Sequence, residues 1–153
     1  IPRLIDMRIE PFLIASSLNL VMAQRLVRRV CQHCKVLTPL KPSVKDEVLA
    51  ATAAVPKHAV PADVQVVEPL QLYRGQGCVR CEMTGYKGRL AIAEVIVMTQ
   101  QLQDILTSKP ANMIESIKAE FRRQGMLSMR EDGIFKSLRG LTTIDEVWDV
   151  TRT

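Results

Sequence analysis

Cys31-Gln32-His33-Cys34 and Cys78-Val79-Arg80-Cys81 hold all four cysteines of the 153-residue chain. Two Cys-x-x-Cys turns far apart in sequence have the spacing of a tetrathiolate zinc site, each pair gripping one metal from its own tight turn. Four ligands fill a tetrahedral shell, so such a site staples two segments and leaves no position for activating water. Structural disulfides fit poorly with a chain that lacks secretory features, and a redox Cys-x-x-Cys needs a thioredoxin-like strand and helix around it. Four free buried thiols are the remaining alternative. His33 lies between two ligands, but the cysteines already complete the shell, which leaves it exposed or beside the sulfurs. His58 reads as surface. Four thiolates on one zinc carry net negative charge, and Arg28, Arg29, Lys35, Arg80, Lys87 and Arg89 are near enough in sequence to donate to the sulfurs.

Upstream of the first pair, Leu18, Val21, Met22, Leu26, Val27 and Val30 recur at steps of three and four. This spacing predicts an amphipathic helix capped by Ser16 or Ser17, with Gln24, Arg25, Arg28 and Arg29 on its polar face. Pro2 and Pro11 bracket a shorter helix over residues 3–10. Between the pairs, residues 39–69 are rich in Pro, Ala and Val, with one short helix expected after a capping box at Ser43-Val44-Lys45-Asp46. Residues 55–69 read as extended and loop-like. Around the second pair, Gly75, Gly77, Gly85 and Gly88 mark tight turns, and residues 90–98 suit a strand.

The rest reads as short helices. Thr99 opens residues 100–106, and residues 112–124 carry the stripe Met113, Ile114, Ile117 and Phe121, closed by Gly125. Residues 128–139 end at Gly140, and a capping box at Thr143-Ile144-Asp145-Glu146 starts a last turn or two through Trp148. Met98, Met126 and Met129 read as gap-filling core.

Composition narrows the function classes. Hydrophobic residues at 47% and charged residues at 24% exclude a disordered or fibrous chain. Aromatic residues at 4% leave little for a base-stacking platform, so nucleic acid is not the expected partner despite the net charge of +5. No apolar run approaches the roughly 18–20 residues of a membrane helix, and no signal-peptide pattern opens the chain, so a soluble cytoplasmic protein is expected. The chain opens on Ile1 inside an apolar phrase, as expected of a piece of a longer protein. It contains no Gly-x-x-x-x-Gly-Lys-Ser/Thr phosphate loop, Gly-x-Gly-x-x-Gly or nucleophile elbow, so no catalytic residue is assigned.

A wider set of residues carries a resemblance. Ile1-Pro2-Arg3-Leu4-Ile5-Asp6-Met7, residues 10–18 from Glu10-Pro11-Phe12 to Leu18, and residues 23–28 from Ala23-Gln24-Arg25 to Arg28 lead into the first cysteine pair. Beyond the second pair come Thr84-Gly85-Tyr86-Lys87-Gly88-Arg89 and Ile92-x-Glu94. Gln124-Gly125-Met126, Glu131-Asp132-Gly133, Lys136, Gly140-x-Thr142-Thr143 and Glu146-Val147 complete the set. Over nearly the whole chain, apart from about residues 36–70, this resembles the ATPases of type II secretion and type IV pilus assembly. Arg8 stands where that family usually has glycine, Ala93 where an aromatic is common, and Trp148 where a smaller or basic residue is typical.

The resemblance implies an α+β fold in three parts. Residues 1–30 would be the helical end of a RecA-like ATPase core, and residues 31–90 a tetracysteine metal-binding subdomain with a variable insert at 36–70. Residues 91–153 would form a C-terminal helical subdomain. It further implies a hexameric cytoplasmic motor, peripheral to the inner membrane through a platform protein, using ATP and Mg2+ bound by residues N-terminal to this segment. Zn2+ on Cys31, Cys34, Cys78 and Cys81 is structural, and this chain alone is not expected to hydrolyse ATP. Arg25 and Arg28 are candidate contacts to nucleotide or to a neighbouring subunit, where guanidinium groups pair with phosphate or carboxylate. A solvated helix face or pairing with the zinc sulfurs is the structural alternative. From a different class, a stand-alone zinc-ribbon-like module that binds nucleic acid or docks on a partner protein is the competing function.

Overall fold

The computed structural model describes residues 2–64, 66, 69–108 and 110–152. In chain order its elements are α1 (Pro2–Asp6), α2 (Pro11–Ser17), β1 (Leu20–Val30), β2 (Lys35–Thr38), α3 (Pro42–Ala53), β3 (Leu72–Gly75), β4 (Tyr86–Val97), α4 (Gln100–Ser108), α5 (Met113–Arg123), α6 (Met129–Leu138) and α7 (Ile144–Thr151). The fold is α+β, with β1 paired to β4 and β2 paired antiparallel to β3. Contacts divide the chain into two compact units, Ile1–Ala23 with Val95–Met126 and Gln24–Glu94 with Leu127–Thr153. No helix among the described residues is long and apolar enough to cross a membrane.

The expected helix from Leu18 to Val30 is instead strand β1. Ser16 and Ser17 close α2 rather than opening a helix, and Leu18 is its C-cap. Apolar residues at steps of three and four describe a helical face, but β-branched Val21, Val27 and Val30 also suit an extended chain. The choice is settled by β4, a pairing partner remote in sequence and invisible to local periodicity. Arg25 and Arg28 therefore lie on a strand.

In the first unit, Ile14, Ala15, Ile96, Leu102 and Leu106 are buried, and Met113, Ile117 and Phe121 of α5 pack against them. Ile114 is 51% exposed and lies outside that stripe. Thr99 opens α4 as expected, its hydroxyl accepting from Leu102 N at 3.2 Å. The same hydroxyl donates to Glu120 at 2.6 Å. Glu120 is 1% exposed, and its carboxylate also accepts from Arg123 at 2.6 and 2.8 Å and from Gln124 at 2.8 Å. The Arg123 guanidinium, aided by Thr99 and Gln124, overcomes burial and holds this carboxyl down at about 2.

In the second unit, Val27, Val48, Leu72, Ile92, Ile134, Val147 and Trp148 form the core, and Phe135 joins Val55 and Val64 beside it. The segment between the cysteine pairs is thus part of the core. Helix α3 starts at Pro42 with Lys41 as N-cap, so Ser43 lies inside the helix and its capping box does not form. Residues 55–64 contain a short 3-10 turn, Lys57–Ala59; Gln65, Val67 and Glu68, part of the expected extended stretch, lie outside the described residues. Ser128 and Glu131 form the full capping box of α6. At α7 only half of the expected box is made: Thr143 accepts from Glu146 N at 3.3 Å, while the Glu146 carboxylate turns to Arg28. A Cβ at Gly133 would lie 2.5 Å from Val147 Cγ1, so only glycine lets α6 meet α7 there.

Two outcomes follow for stability. Arg8, exposed at the end of α1 with φ of 62°, occupies a left-handed position that costs a residue with a Cβ. Arg8→Gly is expected to raise unfolding stability by about 1 kcal/mol in denaturant titrations. Because the folded-state pKa of Glu120 is depressed below 4.5 to about 2, its stabilisation is complete above about pH 4.5 and lost as pH falls toward 2. Unfolding curves across that range should show this loss, and Glu120→Gln should flatten it.

Candidate metal centre

Each cysteine pair is set by a turn. Cys31 follows the last residue of β1, and Cys34 N returns to Cys31 O at 3.3 Å immediately before β2. In the second pair, Cys81 N and Met83 N both reach Cys78 O, at 3.1 and 2.9 Å. Glu82 and Met83 take left-handed conformations, with φ of 53° and 63°. The two turns are also bonded to one another: Cys31 N donates to Gly85 O at 2.9 Å and Gln76 N to Cys34 O at 3.0 Å. This approach needs bare backbone, since a Cβ at Gly75 would fall 2.0 Å from Gly85 O.

The result brings all four sulfurs together. Sγ separations are 3.9 Å for Cys31 and Cys78, 3.8 Å for Cys34 and Cys81, and 3.7 Å for Cys78 and Cys81. All four lie within 4.8 Å of one another. Bonds of roughly 2.3 Å to a tetrahedral ion place sulfurs about 3.8 Å apart, so the cluster has the dimensions of a four-thiolate site. Cys78 N and Gly85 N point at Cys81 Sγ, at 3.2 and 3.3 Å. Burial pushes the Cys81 thiol up, but these amides and the neighbouring cysteines outweigh it and bring it down to about 6. Cys34 is pushed up to about 11, first by burial and then by bonds to the other three thiols, against one amide bond from Gly77.

Three of the six basic side chains near the cysteines, Arg28, Lys35 and Arg80, do something other than the expected donation to sulfur. Among the described residues, backbone amides are the nitrogen donors that reach it. Arg80 bonds to the exposed His33 ring at 2.9 Å, Lys35 lies 4.7 Å over Tyr73, and Arg28 lies 4.2 Å over Tyr86. Amides win because knuckle turns aim successive N–H groups inward, whereas these long side chains find rings and carboxylates on the outside. His58 is exposed, as read from sequence.

Arg25 and Arg28 both grip α7. Arg25 Nη1 donates to Val150 O at 2.5 Å, meeting a carbonyl in the last turn of that helix. Arg28 donates to Glu146 from its backbone N and from Nε, both at 3.0 Å. This guanidinium, ahead of the opposing effect of burial, lowers the Glu146 carboxyl. From the sequence Tyr86 and Thr142 are motif letters, and Thr143 and Glu146 the two ends of a capping box. The structure joins them: Thr142 donates to Arg28 O at 2.8 Å, and the Tyr86 hydroxyl is 3.1 Å from that of Thr143.

A family model described as type II/IV secretion system protein matches residues 1–149. The type IV pilus assembly ATPase PilB of Thermus thermophilus is 41% identical over 148 residues, which are 96% of this chain and 15% of that protein. The type II secretion system ATPase E of Vibrio cholerae is 38% identical over 99% of this chain and 27% of its own length. The type IV pilus assembly ATPase TfpB of Acinetobacter baylyi is 37% identical over 95% of this chain and 22% of its own. The chain thus spans about a quarter or less of these relatives.

Gly85 tests the geometry of the centre. A Cβ there would lie 2.6 Å from Gly75 O, and its φ of +78° already disfavours a side chain. Gly85→Ala is expected to lower thermal stability and weaken metal retention under chelator competition, whereas Gly88→Ala, which carries the same backbone strain at φ of +79° but has open space around its Cβ, should lower stability and still retain metal.

Proposed function

This chain belongs to the type II/IV secretion system protein family, and on that premise we propose that it is the C-terminal portion of a hexameric cytoplasmic motor ATPase. The motor drives type II secretion or type IV pilus assembly by acting on an inner-membrane platform protein, and sits at that membrane only through partners. ATP and Mg2+ act at a phosphate loop N-terminal to this segment, so the segment alone is inactive. The observation that carries this reading is the convergence of two remote Cys-x-x-Cys turns, together with the motif letters around them, on one four-sulfur cluster.

Cys31, Cys34, Cys78 and Cys81 hold a structural Zn2+. When bound it supplies cross-linking alone, because four thiolates leave no open coordination position. The protein's own part is to bring Gly75 and Gly85 into contact, to offset thiolate charge with the amides of Cys78 and Gly85, and to exclude water around Cys31 and Cys81, both buried. In this division residues 1–30 end the RecA-like core, residues 31–90 form the metal-binding subdomain and residues 91–153 the C-terminal subdomain. Arg25 and Arg28 are its candidate contacts with nucleotide or a neighbouring subunit; Arg25 offers more, since it is held by one backbone carbonyl, that of Val150, whereas Arg28 is paired with the Glu146 carboxylate. The cation-covered rings of Tyr73 and Tyr86 speak against a base-stacking nucleic-acid module.

Metal analysis of the full-length protein should give one zinc per chain, and Cys31→Ser or Cys78→Ser should abolish it; full occupancy in either variant would overturn the assignment. Full-length protein should hydrolyse ATP while residues 1–153 alone do not. Arg25→Ala should lower turnover or hexamer formation, and unchanged values would remove Arg25 from that role.

A further inference from the structure

Helix α7 has eight residues, too few to persist in water without tertiary support. Its apolar support comes from Val147 and Trp148, which join the core of the second unit. Its polar support leads back to the cysteine turns. Val30 N, one residue before Cys31, donates to Leu141 O at 2.9 Å. Gln32, between the first two cysteines, reaches Gly140 O at 3.4 Å and Val30 O at 3.0 Å. Gly140 packs so tightly that a Cβ there would lie 2.7 Å from the Tyr73 ring and 3.1 Å from Lys35 Nζ. From the second turn, Gly85 donates to Cys81 Sγ, and the next residue, Tyr86, bonds to Thr143, the N-cap of α7. Arg28 lies over the Tyr86 ring and binds Glu146 in the first turn of the helix. Both cysteine turns thus hold the segment that launches α7.

We propose that the metal centre is the anchor of α7, so that loss of the metal releases this helix, parts Arg28 from Glu146 and uncovers Tyr86 and Trp148, while the first unit stays folded. The physical reason is strain. Glu82 and Met83, immediately after Cys81, are held at φ of 53° and 63° in a turn where Met83 N bonds Cys78 O at 2.9 Å and Thr84 N bonds Cys81 O at 3.0 Å. Without the cross-link the turn relaxes, Gly85 and Tyr86 shift, and the bonds to Thr143 and Glu146 lose their geometry together. The inference rests on the zinc assignment made above, and its failure is distinguishable from failure of that assignment.

The test is hydrogen exchange, read by mass spectrometry, on the full-length protein before and after a zinc chelator, with metal content measured on the same samples. Peptides from 141–152 should exchange at least tenfold faster once metal is removed. Peptides from 113–123 should be unchanged, and those from 43–53 should change less than α7. Metal present, then removed, with 141–152 still protected would overturn the anchor and leave the zinc assignment standing. Loss of protection spread equally over 43–53 and 141–152 would also overturn it, since the unit would then unfold as a whole. Absence of metal from the starting protein would overturn both. Tyr86→Phe keeps the ring under Arg28 and removes only the hydroxyl. This variant should retain one zinc per chain while 141–152 exchanges several-fold faster, and unchanged exchange there would count against the proposed route.

Discussion

Four sulfur atoms can share one cation only if the turns that carry them are brought close together, and here those turns meet backbone to backbone. In this chain the meeting point is Gly75 against Gly85, where any side chain would collide with a carbonyl. Much of the second unit is arranged around that contact. It fixes the join between β2 and β3 on one side and the start of β4 on the other, and it aligns Gly85 N–H with Cys81 Sγ. A tetrahedral shell tolerates only small departures in ligand separation, and the glycine contact is what lets the four sulfurs approach to the spacing such a shell needs.

Carboxylates do a second kind of work in that unit. Glu131 bonds Ser128 N at the head of α6, and Glu94 on β4 bonds Met129 N beside it. Asp132 accepts from Ala93 N, and Lys136 bridges Asp132 and Ala91 O, tying α6 to β4 along its length. Glu146 does the same between α7 and β1. Each of these acidic groups meets amides or cations, which helps to orient the helices.

The four-sulfur cluster is legible in the sequence because Cys-x-x-Cys encodes a local turn, and two local turns suffice to name its four cysteines. Helix starts marked by Thr99 and Thr143 are equally legible, since a cap is a contact over three residues. β1 was misread because its partner β4 lies beyond the second cysteine pair, and no window around Leu18 to Val30 contains it. The same limit hid the partners of Arg28, whose Glu146 and Tyr86 are remote in sequence. Likewise Gly133 read as a plain motif letter until Val147 was found pressed against it.

The segment between the cysteine pairs reads as a variable insert, yet it sends Val48 into the core shared with Ile134, and Val55 and Val64 against Phe135. Its outer side is pinned by Glu47 to Arg130 and by Asp63 to Arg139. All four of these partners belong to α6 or to the residue that caps it. The insert and α6 are therefore one exchangeable cassette. A chimera that swaps the insert alone would leave α6 with unfilled hollows and two arginines without their carboxylates, whereas one that carries both across would transplant a complete interface.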